Sequence, residues 1–155
     1  MNWLRTKLVA LVVTILLGPS GIAFANSEGV SIEAAWARAS VGTKRPGVAY
    51  MTIRNDGAEP VTLMAFRTDL AEAAMLHRTV TDANGVSSMT PVSELSIAPG
   101  EIATLAPGGL HVMLMQLQTA LKEGESFSLT LVFSDGRRMA VEVPILNIAA
   151  RGAAP

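Results

Sequence analysis

Phe127-Ser128-Leu129-Thr130-Leu131-Val132-Phe133, then Ser134-Asp135-Gly136-Arg137, then Met139-Ala140-Val141-Glu142-Val143-Pro144-Ile145, is the clearest hairpin in the chain. Apolar side chains recur at every second position on both sides of the turn, the period of a strand with one face on a core and the other in solvent. Asp-Gly between two such runs signals a hairpin, because glycine takes the left-handed backbone that tight turns need. The same grammar continues towards the N-terminus. Leu110 to Leu117 follows Pro107-Gly108-Gly109, Glu101 to Leu105 follows Pro99-Gly100, and Ser93 to Ile97 precedes that turn. Asp82-Ala83-Asn84-Gly85 separates Met75 to Val80 from Val86 to Met89 as a second hairpin. Pro60 to Phe66 and Val48 to Asn55 read as strands, the latter opened by Lys44-Arg45-Pro46-Gly47. Ile32 to Arg38 is the first strand, with Ile32, Ala34 and Trp36 on one face. Asp69 to Ala74 has room for one helical turn and no more. Strands of about 5–8 residues at this spacing predict an all-β, single-domain sandwich or Greek-key barrel.

The first 25 residues stand outside that scheme. Arg5 and Lys7 precede an apolar run from Leu8 to Leu17, Gly18-Pro19-Ser20-Gly21 breaks it, and Ala23-Phe24-Ala25 forms a small-x-small cleavage site. The run falls short of the about 20 apolar residues that a membrane span needs. Residues 1–25 are therefore expected to be a secretory signal peptide cleaved after Ala25, giving an exported, soluble, periplasmic protein. Residues 26–146 form the expected β-domain and 147–155 a flexible tail. Cleavage removes two of the 12 basic residues, leaving 10 against 13 acidic ones, a formal −3. With no basic cluster, nucleic acid and anionic lipid are poor partners. The sequence holds no cysteine, hence no acceptor for a lipid and no thiol to oxidise in an oxidising compartment.

The chain's two histidines are His77 and His111, and the second lies in Gly109-Leu110-His111-Val112-Met113-Leu114-Met115. Met89 lies 12 positions after His77 and 22 before His111. Strand alternation puts His111, Met113 and Met115 on one face and Leu110, Val112 and Leu114 on the other, which reads as core. Residues at i and i+2 are about 7 Å apart along a strand, close enough for both tips to reach one ion. His77 and Met89 flank a hairpin and can approach from neighbouring strands. Imidazole plus uncharged thioether, without thiolate, suits soft Cu(I) and binds hard cations poorly. A lone histidine is more often a surface residue, and methionines more often fill gaps in a core; Met51, Met64 and Met139 are assigned to the core on that basis. Both histidines, however, occur beside thioethers, which points to a copper carrier.

The spacing His77, Met89, His111-x-Met113 resembles that of periplasmic PCu(A)C-type copper chaperones, a family associated with supplying the Cu(A) centre of cytochrome c oxidase. Ala35-Trp36-Ala37-Arg38-Ala39, Ala49-Tyr50-Met51-Thr52-Ile53-Arg54-Asn55-Asp56-Gly57 and Leu105-Ala106-Pro107-Gly108-Gly109-Leu110-His111 also look like that family's segments, so the likeness spans about Ile32 to Ile145. The resemblance implies a cupredoxin-like β-barrel, with one Cu(I) per chain held near the surface by His77, Met89, His111 and Met113. It implies a copper-accepting partner, such as an oxidase subunit or another copper chaperone. Many members carry methionine directly after the first histidine, whereas this chain has Arg78, so no fifth sulfur ligand is expected. Asn147 to Pro155 lacks the histidines and methionines of some members' tails, so no second copper site is expected there.

Other classes fare worse. Blue-copper electron transfer needs a thiolate, and a copper oxygenase built on an N-terminal histidine conflicts with a mature start at Asn26. No Gly-x-Ser-x-Gly nucleophile motif occurs, so the chain is expected not to be an enzyme. Copper buffering or tolerance without a dedicated recipient uses the same residues. A metal-free β-sandwich interaction module with a methionine-rich patch is the remaining alternative.

Overall fold

In the computed structural model, which describes residues 25–27 and 29–153, the alternation of the final hairpin becomes a division between core and solvent. Along Arg138–Leu146, Met139, Val141, Val143 and Ile145 are buried while Arg138, Ala140, Glu142 and Pro144 face solvent. Its partner Ser126–Phe133 buries Phe127, Leu129, Leu131 and Phe133. Between them Gly136 takes φ 86°, and Asp135 Oδ1 accepts the Arg137 N–H at 2.9 Å. That backbone hydrogen bond, ahead of the Arg137 side chain, holds the Asp135 carboxyl below the usual carboxylate range.

The strands are β1 (Ala25–Ser27), β2 (Val30–Arg38), β3 (Gly47–Asn55), β4 (Val61–Arg67), β5 (Ala71–Thr81), β6 (Ser87–Pro91), β7 (Leu95–Ile97), β8 (Ile102–Leu105), β9 (Leu110–Leu117), β10 (Ser126–Phe133) and β11 (Arg138–Leu146). They join in the order β5-β9-β8-β3-β2-β11-β10-β4, and the Phe66–Ala74 pairing of β4 with β5 closes an eight-stranded barrel. Most pairings are antiparallel; β11 runs parallel to β2, and β8 to β9. β6 extends the sheet from β5, β7 pairs with β4, and β1 with β2. The fold is all-β, with no helix among the described residues. Closure leaves few unpaired edges and encloses a core containing Ile32, Met51, Ile53, Leu114, Leu129 and Leu131. The proposed leader falls on residues mostly outside those described.

Several local expectations are corrected. Ala34 does not share the core face of Ile32: it is exposed, at φ 49°, where the register of β2 against β3 slips between Glu33 and Trp36. One extra residue there reverses the alternation, so Ala37 and not Trp36 continues the core face of Ile32, and Trp36 is buried on the other face between Tyr50 and Arg38. Asp69 and Leu70 make a turn, and β5 begins at Ala71, so no helical turn forms. β7 starts at Leu95, not Ser93. Leu110 is half-buried against the core's margin. Met51 and Met139 are buried, but Met64 is 46% exposed. Beyond β11, Ala150 O accepts the Arg38 Nε–H at 2.8 Å, tying Asn147–Ala150 to β2.

Candidate metal centre

β5 and β9 are antiparallel neighbours with Ala73 opposite Met115, Met75 opposite Met113, and His77 opposite His111. Side chains of directly paired residues stand on the same face. Leu76, Val112 and Leu114 turn into the core, so Met75, His77, His111 and Met113 make a square on the outer face. The sequence is mirrored: Met75-x-His77 on one strand meets His111-x-Met113 on the other. β6 adds Met89, opposite Thr79 and hence diagonal to His77 on that face. The structure thus brings His77, Met89, His111 and Met113 to one face, with Met75 among them and Met115 one pairing step beyond.

The local turns explain how the histidines are held. Gly108, at φ 83°, allows the chain to reverse after Pro107, and the Ala106 N–H then donates to Leu110 O at 2.8 Å. This places Gly109 O beside His111 Nδ1 at 3.0 Å. A carbonyl oxygen only accepts, so Nδ1 is the nitrogen that carries a proton here, and in a neutral imidazole Nε2 is then the atom with the free lone pair. His77 Nδ1 makes a longer contact, 3.4 Å, with Met75 O. The two rings are nearly parallel, with centroids 6.1 Å apart and an interplanar angle of 22°. At the second hairpin, Asp82 Oδ1 accepts the N–H groups of Asn84 and Val86, and Gly85 adopts φ 80°, turning β6 back along β5.

Alternation assigned His111 to a face without revealing how it is covered: the residue is only 4% exposed. Its Nε2 is the one buried side-chain nitrogen or oxygen without a hydrogen-bond partner among the described residues. Leaving such a polar atom buried and unpaired costs about 1–3 kcal/mol. An electron-pair acceptor at Nε2 removes that penalty, and Nδ1 bonded to a carbonyl is the usual way a metal-binding imidazole is oriented. No group of three or more His, Cys, Asp or Glu gathers among the described residues. The other donors on this face are the His77 imidazole and thioethers, a set that fits Cu(I) and not a hard cation. The face is open: His77 and Met113 are half-buried, Met75 is 46% exposed and Met89 60% exposed.

Met75 shares this face although spacing alone did not select it. Its signal was the mirrored Met-x-His and His-x-Met pair, which gains meaning once β5 and β9 are known to run antiparallel.

Residues 30–145 match the family described as "Putative lipoprotein LpqE-like". The chain is 34% identical over 149 residues to "Putative lipoprotein Lxx21020" of Leifsonia xyli subsp. xyli, covering 89% of this chain and 88% of that one. Its fold is similar to the apo PCuAC domain of PmoF2, at TM-score 0.70 and 21% identity, over 84% of this chain and 100% of that domain. It is also similar to the solution structure of Cu(I)-DR1885 from Deinococcus radiodurans, at TM-score 0.58 and 38% identity, over 73% of this chain and 75% of the other. Although the family description speaks of lipoproteins, the present sequence has no cysteine to carry a lipid. By sequence and by fold, the chain belongs to the LpqE-like family, and its barrel is that of the PCuAC domains.

Proposed function

We propose that this protein is an exported, non-enzymatic Cu(I) carrier that holds one ion per chain through His77, Met89, His111 and Met113 and passes it to a copper-accepting protein. The observation that carries the reading is the buried, unpartnered Nε2 of His111 on a face shared with thioethers. The relative from Deinococcus radiodurans, solved with Cu(I), lends it support. Neutral imidazole and thioether hold Cu(I) without a thiolate and without a nearby oxidant. Exposure then orders release. Met89, on the outermost strand, is the ligand an incoming acceptor displaces first, and His111 the last. The recipient we favour is an oxidase subunit under assembly at its Cu(A) centre, or a second copper chaperone serving it. The compartment we favour is the periplasm, reached by cleavage after Ala25. Copper buffering uses the same site and differs in lacking a dedicated acceptor.

Competition with a chromogenic Cu(I) chelator under anaerobic conditions tests the ligand assignment. His111→Ala is expected to weaken Cu(I) binding by at least about tenfold more than Met115→Ala, because His111 meets His77 across the strands while Met115 lies opposite Ala73. Equal losses contradict the assignment. Transfer from the loaded protein to an apo oxidase Cu(A) domain, faster than to free chelator, separates delivery from buffering.

A further inference from the structure

Resting on the copper reading above, we propose that Met75 is a third thioether of the site, sharing one coordination position with Met89. Its Cα partner across the ladder is Met113, and it lies two residues from His77 on the same strand face. Directly opposite side chains in an antiparallel pair have Cβ atoms about 4.5–5.5 Å apart. Met75 is thus one strand from His111 and Met113, whereas Met89 reaches them across β5 from β6. Strands lie about 4.8 Å apart, so Met89 starts roughly 10 Å from the strand that bears His111 and Met113. By position alone, Met75 is the better-placed sulfur.

Core packing does not account for it. Met75 is 46% exposed, while its neighbour Leu76 is buried on the other face. Three rotatable bonds and a polarisable sulfur let such a side chain swing towards a soft ion. Arg78 cannot serve, being a cation that faces away from His77 along the strand. With Met75 available, Cu(I) stays bound to the β5–β9 pair when an acceptor ligand displaces the Met89 sulfur. The ion therefore need not lose a ligand before it gains one.

Methyl-13C methionine NMR of the cleaved chain, with resonances assigned by Met→Leu variants, reads each sulfur separately. On adding one equivalent of Cu(I), the Met75 methyl is expected to shift together with Met113, and to shift further in Met89→Leu. The core methionines Met51 and Met139 are expected to stay in place. Cu(I) affinity is expected to survive either Met75→Leu or Met89→Leu, and to fall in the double variant by about tenfold more than the product of the single losses. A Met75 methyl unmoved in both wild type and Met89→Leu, while Met113 shifts, overturns the proposal and leaves the copper site standing. If Met113 is also unmoved, the copper reading fails and the proposal with it.

Discussion

His111 and Tyr50 show how one residue's surroundings decide its chemistry. Type and spacing sufficed to mark His111 as a ligand candidate, since an imidazole beside thioethers has few uses on a strand. Its burial was not legible, because alternation gives a face and not what lies over it. Asn55 was missed altogether: it is fully buried, and its amide donates to Glu59 O and Ile97 O while its Oδ1 accepts the Gly57 N–H. Tyr50, the chain's single tyrosine, packs against Trp36 at 4.5 Å with the Arg38 guanidinium 5.6 Å from its own ring. Burial pushes its hydroxyl above the usual tyrosine range, and the Arg38 charge partly offsets this. The folded state thus keeps the proton to higher pH than the unfolded chain. The resulting stability is fully present below the unfolded value of about 10 and is lost as pH rises through the folded one. Phenolate absorbance is expected to titrate later in the folded protein than in the denatured one, and later still in Arg38→Met. A midpoint at or below the denatured value contradicts this environment.

At the scale of elements, strands were legible where alternation was unbroken and bounded by glycine turns, as in β9, β10 and β11. They were misread where one residue changed the phase. In β2 the extra residue at Ala34 shifts the core face from Trp36 to Ala37, leaving Trp36 on the other face against Tyr50. Asp69 to Ala74 lacked any period, so pairing with β4 and β9 decided its state. Turn glycines provide a matched test. Gly29 and Gly136 have φ of 83° and 86°, but a Cβ at Gly29 comes within 2.7 Å of the Gly57 backbone, whereas one at Gly136 meets nothing within 4 Å. Gly136→Ala is expected to cost about 1–2 kcal/mol from backbone conformation alone. Gly29→Ala is expected to cost about 1–3 kcal/mol more, because backbone must move. Denaturant unfolding of both variants checks the order, and equal losses contradict the close approach of Gly29 to Gly57.

Over the whole molecule, long-range strand pairing is what brings the scattered candidate ligands together. His77 and His111 are 34 positions apart in sequence, yet the β5–β9 ladder sets them opposite each other. The all-β class followed from alternation, but the strand order, with β9 between β5 and β3, depended on long-range pairings that local pattern does not encode. The resulting ladder holds imidazoles and thioethers on one face, with the exposed edge strand β6 offering Met89. X-ray absorption of the protein loaded anaerobically with one equivalent of Cu(I) is the decisive measurement. The expected spectrum is that of Cu(I) with mixed nitrogen and sulfur scattering, the nitrogen part diminished in His111→Ala, and with no second tightly held ion on further titration. A shell of oxygen alone, or a wild-type spectrum unchanged by His111→Ala, would contradict the account.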